Sequence, residues 1–138
     1  MQPAVTSTDL TLPEPRRGKV RDTYRLPNPN GPDRLLIIAT DRLSAFDIVL
    51  PTPVPGKGVL LTSLSTFWLR FIETRGLART HLRSVDAADV PERAFKGTTS
   101  RDDLAGRVTI GTRCRVLPVE CVVRGYLEGS GWRDYQST

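Results

Sequence analysis

Four short clusters carry residues whose types and spacing suit chemistry on a phosphorylated ligand. In Gly18-Lys19-Val20-Arg21-Asp22 a glycine precedes two cations two residues apart, and so on one face of an extended chain. Glycine lets a backbone approach closely, main-chain amides donate to phosphate oxygens, and Lys19 and Arg21 neutralise charge. The cluster is neither a Walker A loop nor a Rossmann fingerprint, and alone it equally describes a basic edge strand. Ala39-Thr40-Asp41-Arg42-Leu43-Ser44-Ala45-Phe46-Asp47 sets polar and charged residues directly behind an apolar run. Ligand groups concentrate at such strand ends, although a structural Asp-Arg pair is the commoner case. Pro53-Val54-Pro55-Gly56-Lys57-Gly58 is a stiff turn with one exposed cation. From Leu117 to Trp132, a strand presenting Glu120, Val122 and Arg124 on one face runs into a Gly-Ser turn at Ser130. An arginine and a hydroxyl beside helix-start amides make a monophosphate cup. The alternative is Arg124 paired to Glu120, with Ser130 a simple N-cap.

These clusters need elements to position them. Val20, Tyr24 and Leu26 share one parity, interrupted by Asp22, which predicts a strand over 19–26 starting at Gly18 with one wet face. The turn Pro27-Asn28-Pro29-Asn30-Gly31-Pro32 followed by the branched run Leu35 to Ala39 completes a β-hairpin. Leu60, Leu61, Leu64, Phe67, Trp68, Phe71 and Ile72 recur at three- and four-residue spacing, predicting a helix over 60–74 capped at Thr62 or Ser63 and ended by Gly76. Asp86 to Arg107 reads as short helix plus loop, and Val108 to Tyr126, broken at Gly111 and Pro118, as two or three strands before a helix near Ser130. Residues 1–16, rich in Pro, Thr and Ser, read as a lead-in segment, with order beginning near Arg17. The fold class is α+β with a largely antiparallel sheet: a β-rich lobe over 17–116, then a hinge and the start of a second lobe over 117–138.

Composition narrows the function classes. Hydrophobic residues at 38% and charged residues at 25% of 138 describe a soluble globular domain, and the longest apolar run, Leu35 to Ala39, is far too short to span a bilayer. No export or transit signal is visible, so the cytosol is the expected address. Cys114 and Cys121 lack C-x-x-C spacing and read as reduced structural thiols, and a lone His81 excludes a His-paired metal site. The net charge of +5 fits a nucleic-acid binder or a pocket for phosphorylated small molecules, but the cations are dispersed and no aromatic-basic RNA-recognition motif appears.

Taken together and in order, GKVRD, ATDRLSAFD, PGKGVLLTSLSTFW and LPVECVVRGYLEGSGW resemble the SAICAR synthetase family from Arg17 to the last residue. The final stretch, Pro-Val-Glu followed by Arg and six positions later by Gly-Ser, is the most specific. The resemblance implies a ligase that joins L-aspartate to the carboxylate of carboxyaminoimidazole ribonucleotide (CAIR), with ATP and Mg2+, through an acyl phosphate. Such phosphoryl transfer asks a protein mainly for positioning and charge neutralisation. The family resembles kinases and ATP-grasp proteins in layout. Carried over, Gly18, Lys19, Val20 and Arg21 form the turn over the ATP phosphates. Leu117, Val119 and Glu120 belong to a hinge touching adenine. Arg124 and Ser130 hold the CAIR phosphate, and Asp41, Ser44 and Asp47 line the catalytic junction. A second family signature, Asp-x-Lys-Phe-Glu-Phe-Gly, and the acidic Mg2+ ligands that accompany it do not occur in this chain, which is therefore expected to be inactive alone and to self-associate through apolar surface meant for a second lobe. The alternatives are a non-catalytic nucleotide-binding module and, more weakly, a basic nucleic-acid binder.

Overall fold

The computed structural model describes residues 3–119, 121–123 and 125–137. Its centre is a five-stranded sheet of β1 (Arg16–Arg17), β2 (Arg21–Leu26), β3 (Arg34–Ala39), β6 (Leu82–Ser84) and β7 (Val108–Thr112). The order is β1-β2-β3-β7-β6, every pair antiparallel, which is the α+β architecture expected. A separate ribbon pairs β4 (Ser44–Ala45) with β5 (Ile48–Val49). The register of β2 on β3 runs from Arg21 opposite Ala39 to Leu26 opposite Arg34, so the Pro-Asn-Gly segment closes the predicted hairpin.

Side chains alternate across a strand, and the two sheet faces are covered differently. One face buries Tyr24, Leu26, Leu36, Ile38, Val108 and Ile110 against Leu10, Leu12, Val90, Ala94 and Leu104. Leu10 and Leu12 come from the segment expected to be a mere lead-in, so order begins well before Arg17. Asp22, which interrupts the apolar parity of β2, lies on this buried face with Tyr24 and Leu26. The short 3-10 turns at 87–89 and 92–94 and the four-residue α2 (Arg101–Leu104) supply the remaining lid, which agrees with short helix plus loop. Ser100 caps α2 with a full capping box shared with Asp103, whose carboxyl is held below its ordinary pKa chiefly by the Ser100 backbone amide and hydroxyl.

The opposite face carries α1 (Lys57–Thr74). It begins one turn earlier than the periodicity indicated, at a left-handed Gly56, and neither Thr62 nor Ser63 caps it. Gly76 ends it as expected: its φ is +65°, and the amides of Gly76 and Leu77 return to Glu73 O and Ile72 O. The helix meets the sheet through its small residues. Gly58 and Thr62 are buried, while Leu60, Leu61, Leu64, Phe67, Trp68 and Phe71 are exposed. A Cβ at Gly58 would stand 2.2 Å from Ala39 O, so only glycine permits that approach. The apolar stripe is real, but it is not the face that seats the helix.

Beyond β7 the expectation of two or three strands fails. Among the described residues from Arg113 to Gly129 there is no further strand, and Val116, Leu117, Val119, Val122, Val123 and Tyr126 are exposed. Branched residues favour a strand only when a neighbour supplies a ladder and a buried face, and neither is present here. The helix expected near Ser130 forms as α3 (Ser130–Ser137), with no buried residue. Among the described residues no helix is long and apolar enough to cross a membrane.

Candidate nucleotide and phosphate site

The Gly18–Arg21 segment is the reversal between β1 and β2 rather than the opening of one long strand. Gly18 N donates to Arg21 O at 2.8 Å and closes it. The turn is held from behind by two residues just past the end of β3, Thr40 and Arg42. Thr40 binds Val20 O through both its amide (3.1 Å) and its hydroxyl (2.8 Å). Arg42, buried, donates from Nε to Lys19 O at 3.1 Å and from Nη2 to Gly18 O at 2.8 Å and to Asp22 Oδ1 at 2.7 Å, while Nη1 reaches Thr6 O.

Asp41, expected to line the catalytic junction, is fully buried. Its Oδ1 accepts from the Gly58 amide at 2.9 Å and from Arg107 Nη1 at 3.0 Å, and its Oδ2 accepts from the Val5 amide at 2.9 Å. Burial pushes this carboxyl's pKa up, but the Gly58 amide, the Arg107 guanidinium and the Val5 amide outweigh it, so the net shift is downward. A carboxylate so enclosed holds the start of α1 and the N-terminal segment onto β3. It supports the site rather than lining it, because a side chain with no exposed surface, its oxygens taken by Gly58, Arg107 and Val5, has no path to a ligand.

Ser44 and Asp47 sit on the β4–β5 ribbon. Phe46 and Asp47 form its tip with φ of +49° and +66°, the mirror-image turn that hairpins favour, and Phe46 is 98% exposed. Lys19 Nζ reaches across to Asp47 Oδ1 at 2.6 Å, so two of the predicted clusters meet in space. Both side chains of this pair are largely exposed and available to a ligand.

A cavity of about 300 Å³ opens between the sheet and α1. Val20, Ile37, Ala39 and Leu61 give it apolar walls, and Arg21, Lys57 and His81 bring cationic or protonatable groups. His81 can lie over β7 because Gly111 has no side chain there: a Cβ would fall 2.6 Å from the ring. Of the predicted ATP-site residues, Val20 and Arg21 line this cavity, and Lys19 lies beside them in the same turn. Leu117, Val119 and Ser130 are exposed and line no cavity described here, whereas Glu120 and Arg124 lie outside the described residues. A larger cavity, about 570 Å³, lies along the other side of α1 between Phe67, Phe71 and Val85, and no predicted site residue lines it. Sequence reasoning missed Arg42, Lys57 and His81. Of these, Arg42 and Lys57 carried signals, Arg42 as a member of the ATDRLSAFD cluster and Lys57 as a lone cation between two glycines.

Among the described residues no group of three or more His, Cys, Asp or Glu side chains is placed to hold a metal ion.

Comparison with known proteins places these features in a family. The family model described as SAICAR synthetase matches residues 14–138. A phosphoribosylaminoimidazole-succinocarboxamide synthase from Desulfosudis oleivorans is 52% identical over 123 residues, covering 88% of this chain and 38% of the relative. One from Thioalkalivibrio sulfidiphilus is 48% identical over 138 residues, covering 99% and 43%. Among solved structures, a SAICAR synthase from Saccharomyces cerevisiae in complex with SAICAR superposes with a TM-score of 0.75 at 34% identity, covering 98% of this chain and 45% of the other. The chain thus spans about two fifths of the length of the curated relatives it matches.

Proposed function

The chain belongs to the SAICAR synthetase family, and on that premise we propose that it is the nucleotide-binding part of a cytosolic ligase of purine biosynthesis. That ligase joins L-aspartate to the carboxylate of CAIR, with ATP converted to ADP and phosphate, by way of an acyl phosphate attacked by the aspartate amine. The observation that carries this reading is the cavity under the Gly18–Arg21 turn, apolar at Val20, Ile37 and Ala39 and cationic at Arg21 and Lys57. A purine ring suits the first set and phosphates suit the second. Lys19 leaves Asp47 to neutralise the β- and γ-phosphates, and Ser44 and Asp47 face the junction with the acceptor. Leu117, Val119 and Glu120 touch adenine and Arg124 and Ser130 grip the CAIR phosphate once that segment is covered. Mg2+ enters with the nucleotide, its protein ligands lying outside this set of residues.

Calorimetric titration with ATP, and separately with adenosine, tests the reading. ATP binding at least tenfold tighter than adenosine is expected; equal affinities overturn it. A coupled ADP-release assay with ATP, Mg2+, CAIR and aspartate is expected to show no aspartate-dependent turnover from this chain alone. The exposure of Leu117, Val119 and Ser130 favours a second reading, a nucleotide-binding module without catalysis. CAIR binding by the chain supports the ligase reading, and ATP binding without CAIR binding supports the module.

A further inference from the structure

We infer that Arg42 is a positioning residue that turns the Gly18–Val20 backbone outward into an anion-binding nest, so that the amides of Lys19 and Val20, and not only the lysine side chain, receive the phosphates. The inference rests on the reading of the adjoining cavity as a nucleotide site, and it assigns a specific role to Arg42, which the sequence marked only as a member of the ATDRLSAFD cluster.

The argument is one of peptide geometry. There is no cis peptide bond in the described chain, so within each unit the carbonyl and the following N–H point in opposite directions. Arg42 holds Gly18 O through Nη2 at 2.8 Å and Lys19 O through Nε at 3.1 Å. Both carbonyls are thereby aimed at one buried guanidinium, and the two N–H groups on their far sides, those of Lys19 and Val20, are aimed away from it. Among the described residues neither amide has a hydrogen-bond partner. Two successive free amides on a turn, next to the Lys19 ammonium and the Arg21 guanidinium, form the concavity that oxyanions occupy. Thr40 adds a third restraint by binding Val20 O twice.

Arg42 cannot drift, because its guanidinium also binds Asp22 Oδ1 at 2.7 Å and Thr6 O, and it lies beneath the surface. Its planar fork is what lets one side chain serve carbonyls of two consecutive residues and a carboxylate together. A lysine keeps the charge opposite Asp22 but offers a single point from which both carbonyls are not reached with the same geometry. The nest is preformed, so a phosphate meets oriented donors with no ordering left to be done.

The test begins with the unaltered chain, labelled with 15N and titrated with inorganic pyrophosphate. The Lys19 and Val20 amide resonances are expected to move among the most strongly in the spectrum. If ATP binds and these two amides stay still, the inference is overturned while the nucleotide reading survives. If neither ATP nor pyrophosphate binds, both fall together. Arg42→Lys is then compared by calorimetry: ATP affinity is expected to drop tenfold or more while adenosine affinity stays within twofold. Equal losses for both ligands mean that Arg42 is merely structural, and overturn the inference. Should Arg42→Lys fail to fold, the pyrophosphate titration of the unaltered chain decides alone.

Discussion

The two faces of the central sheet are made by the same strands and have opposite fates. Ile38 and Ile37 are adjacent on β3, yet Ile38 is fully buried under the N-terminal segment and the 87–104 region, while Ile37 lines the open cavity beside α1. The closed face holds aliphatic side chains and one neutralised ion pair, Asp22 with Arg42. The open face mixes aliphatic, hydroxyl and cationic groups, and the helix laid on it buries Gly58 and Thr62 while its large residues stay exposed, Leu61 among them at the wall of the cavity. Apolar burial stabilises the closed face in proportion to area. The open face contributes little to stability and is shaped for something that comes from outside. A sheet of this kind separates the part that keeps it folded from the part that binds.

The largest expected effect lies at the seam. Asp41→Leu leaves Arg107 as a buried charge without its partner and should cost about 3–5 kcal/mol in urea denaturation. The same pair sets an acid limit. The Asp41 pKa is lowered from 3.8, so its contribution is present above the unfolded value and is lost as pH falls through the folded one. The denaturation midpoint of the parent should therefore drop on acidification below about pH 4, and that component should be missing from Asp41→Leu. Next comes the direct comparison of neighbours. Ile38→Ala should cost about 2–5 kcal/mol and Ile37→Ala under about 1 kcal/mol, whereas only Ile37→Ala should weaken adenosine. Equal costs at the two positions would erase the distinction between the faces. Lys19→Ala, whose partner Asp47 is exposed, should leave the denaturation midpoint unchanged and weaken ATP by roughly ten- to a hundredfold, the worth of a charge-assisted contact. The smallest effect belongs to the outward stripe. Trp68→Ser should change stability by less than about 0.5 kcal/mol, and sedimentation should show weaker self-association at high concentration. A large loss of stability there would mean that the stripe is covered within the chain.

What the sequence made legible follows from what each signal measures. Alternation located β2 and β3, and the three-four spacing located α1, because both report that one side of an element is apolar. Neither signal says what that side meets. The stripe of Leu64, Phe67 and Trp68 was therefore found correctly and its burial was not, since Gly58 and Thr62, residues with no hydrophobic signature, make the contact. Leu10 and Leu12 were missed for a related reason: two leucines among prolines and threonines have no period, and only the groove above Tyr24 and Leu36 gives them a place. The turn Gly18–Arg21 and the segment Thr40–Asp47 were recognised as belonging together through the family resemblance, and the chain joins them by Thr40, Arg42 and the Lys19–Asp47 pair. The division of labour inside ATDR was illegible, because an aspartate spent on a helix amide and one offered to a ligand are written with the same letter. The run from Leu117 to Val123 reads as strand by composition, but a strand needs a partner, and no strand forms among the described residues of this run.

The close approach at Gly58 also has a mechanical side. Near its first turn α1 is fixed to the end of β3 by a contact too tight for any side chain and by the bond from the Gly58 amide to Asp41. The opposite end is tied to its own return loop, where Thr80 binds Glu73 through amide and hydroxyl. From Gly58 to Thr74 the axis is about 24 Å long at the usual rise per residue. The helix is thus a lever with its fulcrum at one glycine: a tilt of about 5° there displaces the Phe71 end by about 2 Å while barely moving Lys57. Whatever leans on the aromatic end acquires a long arm, and the cavity beside the fulcrum feels that push as torque rather than as contact.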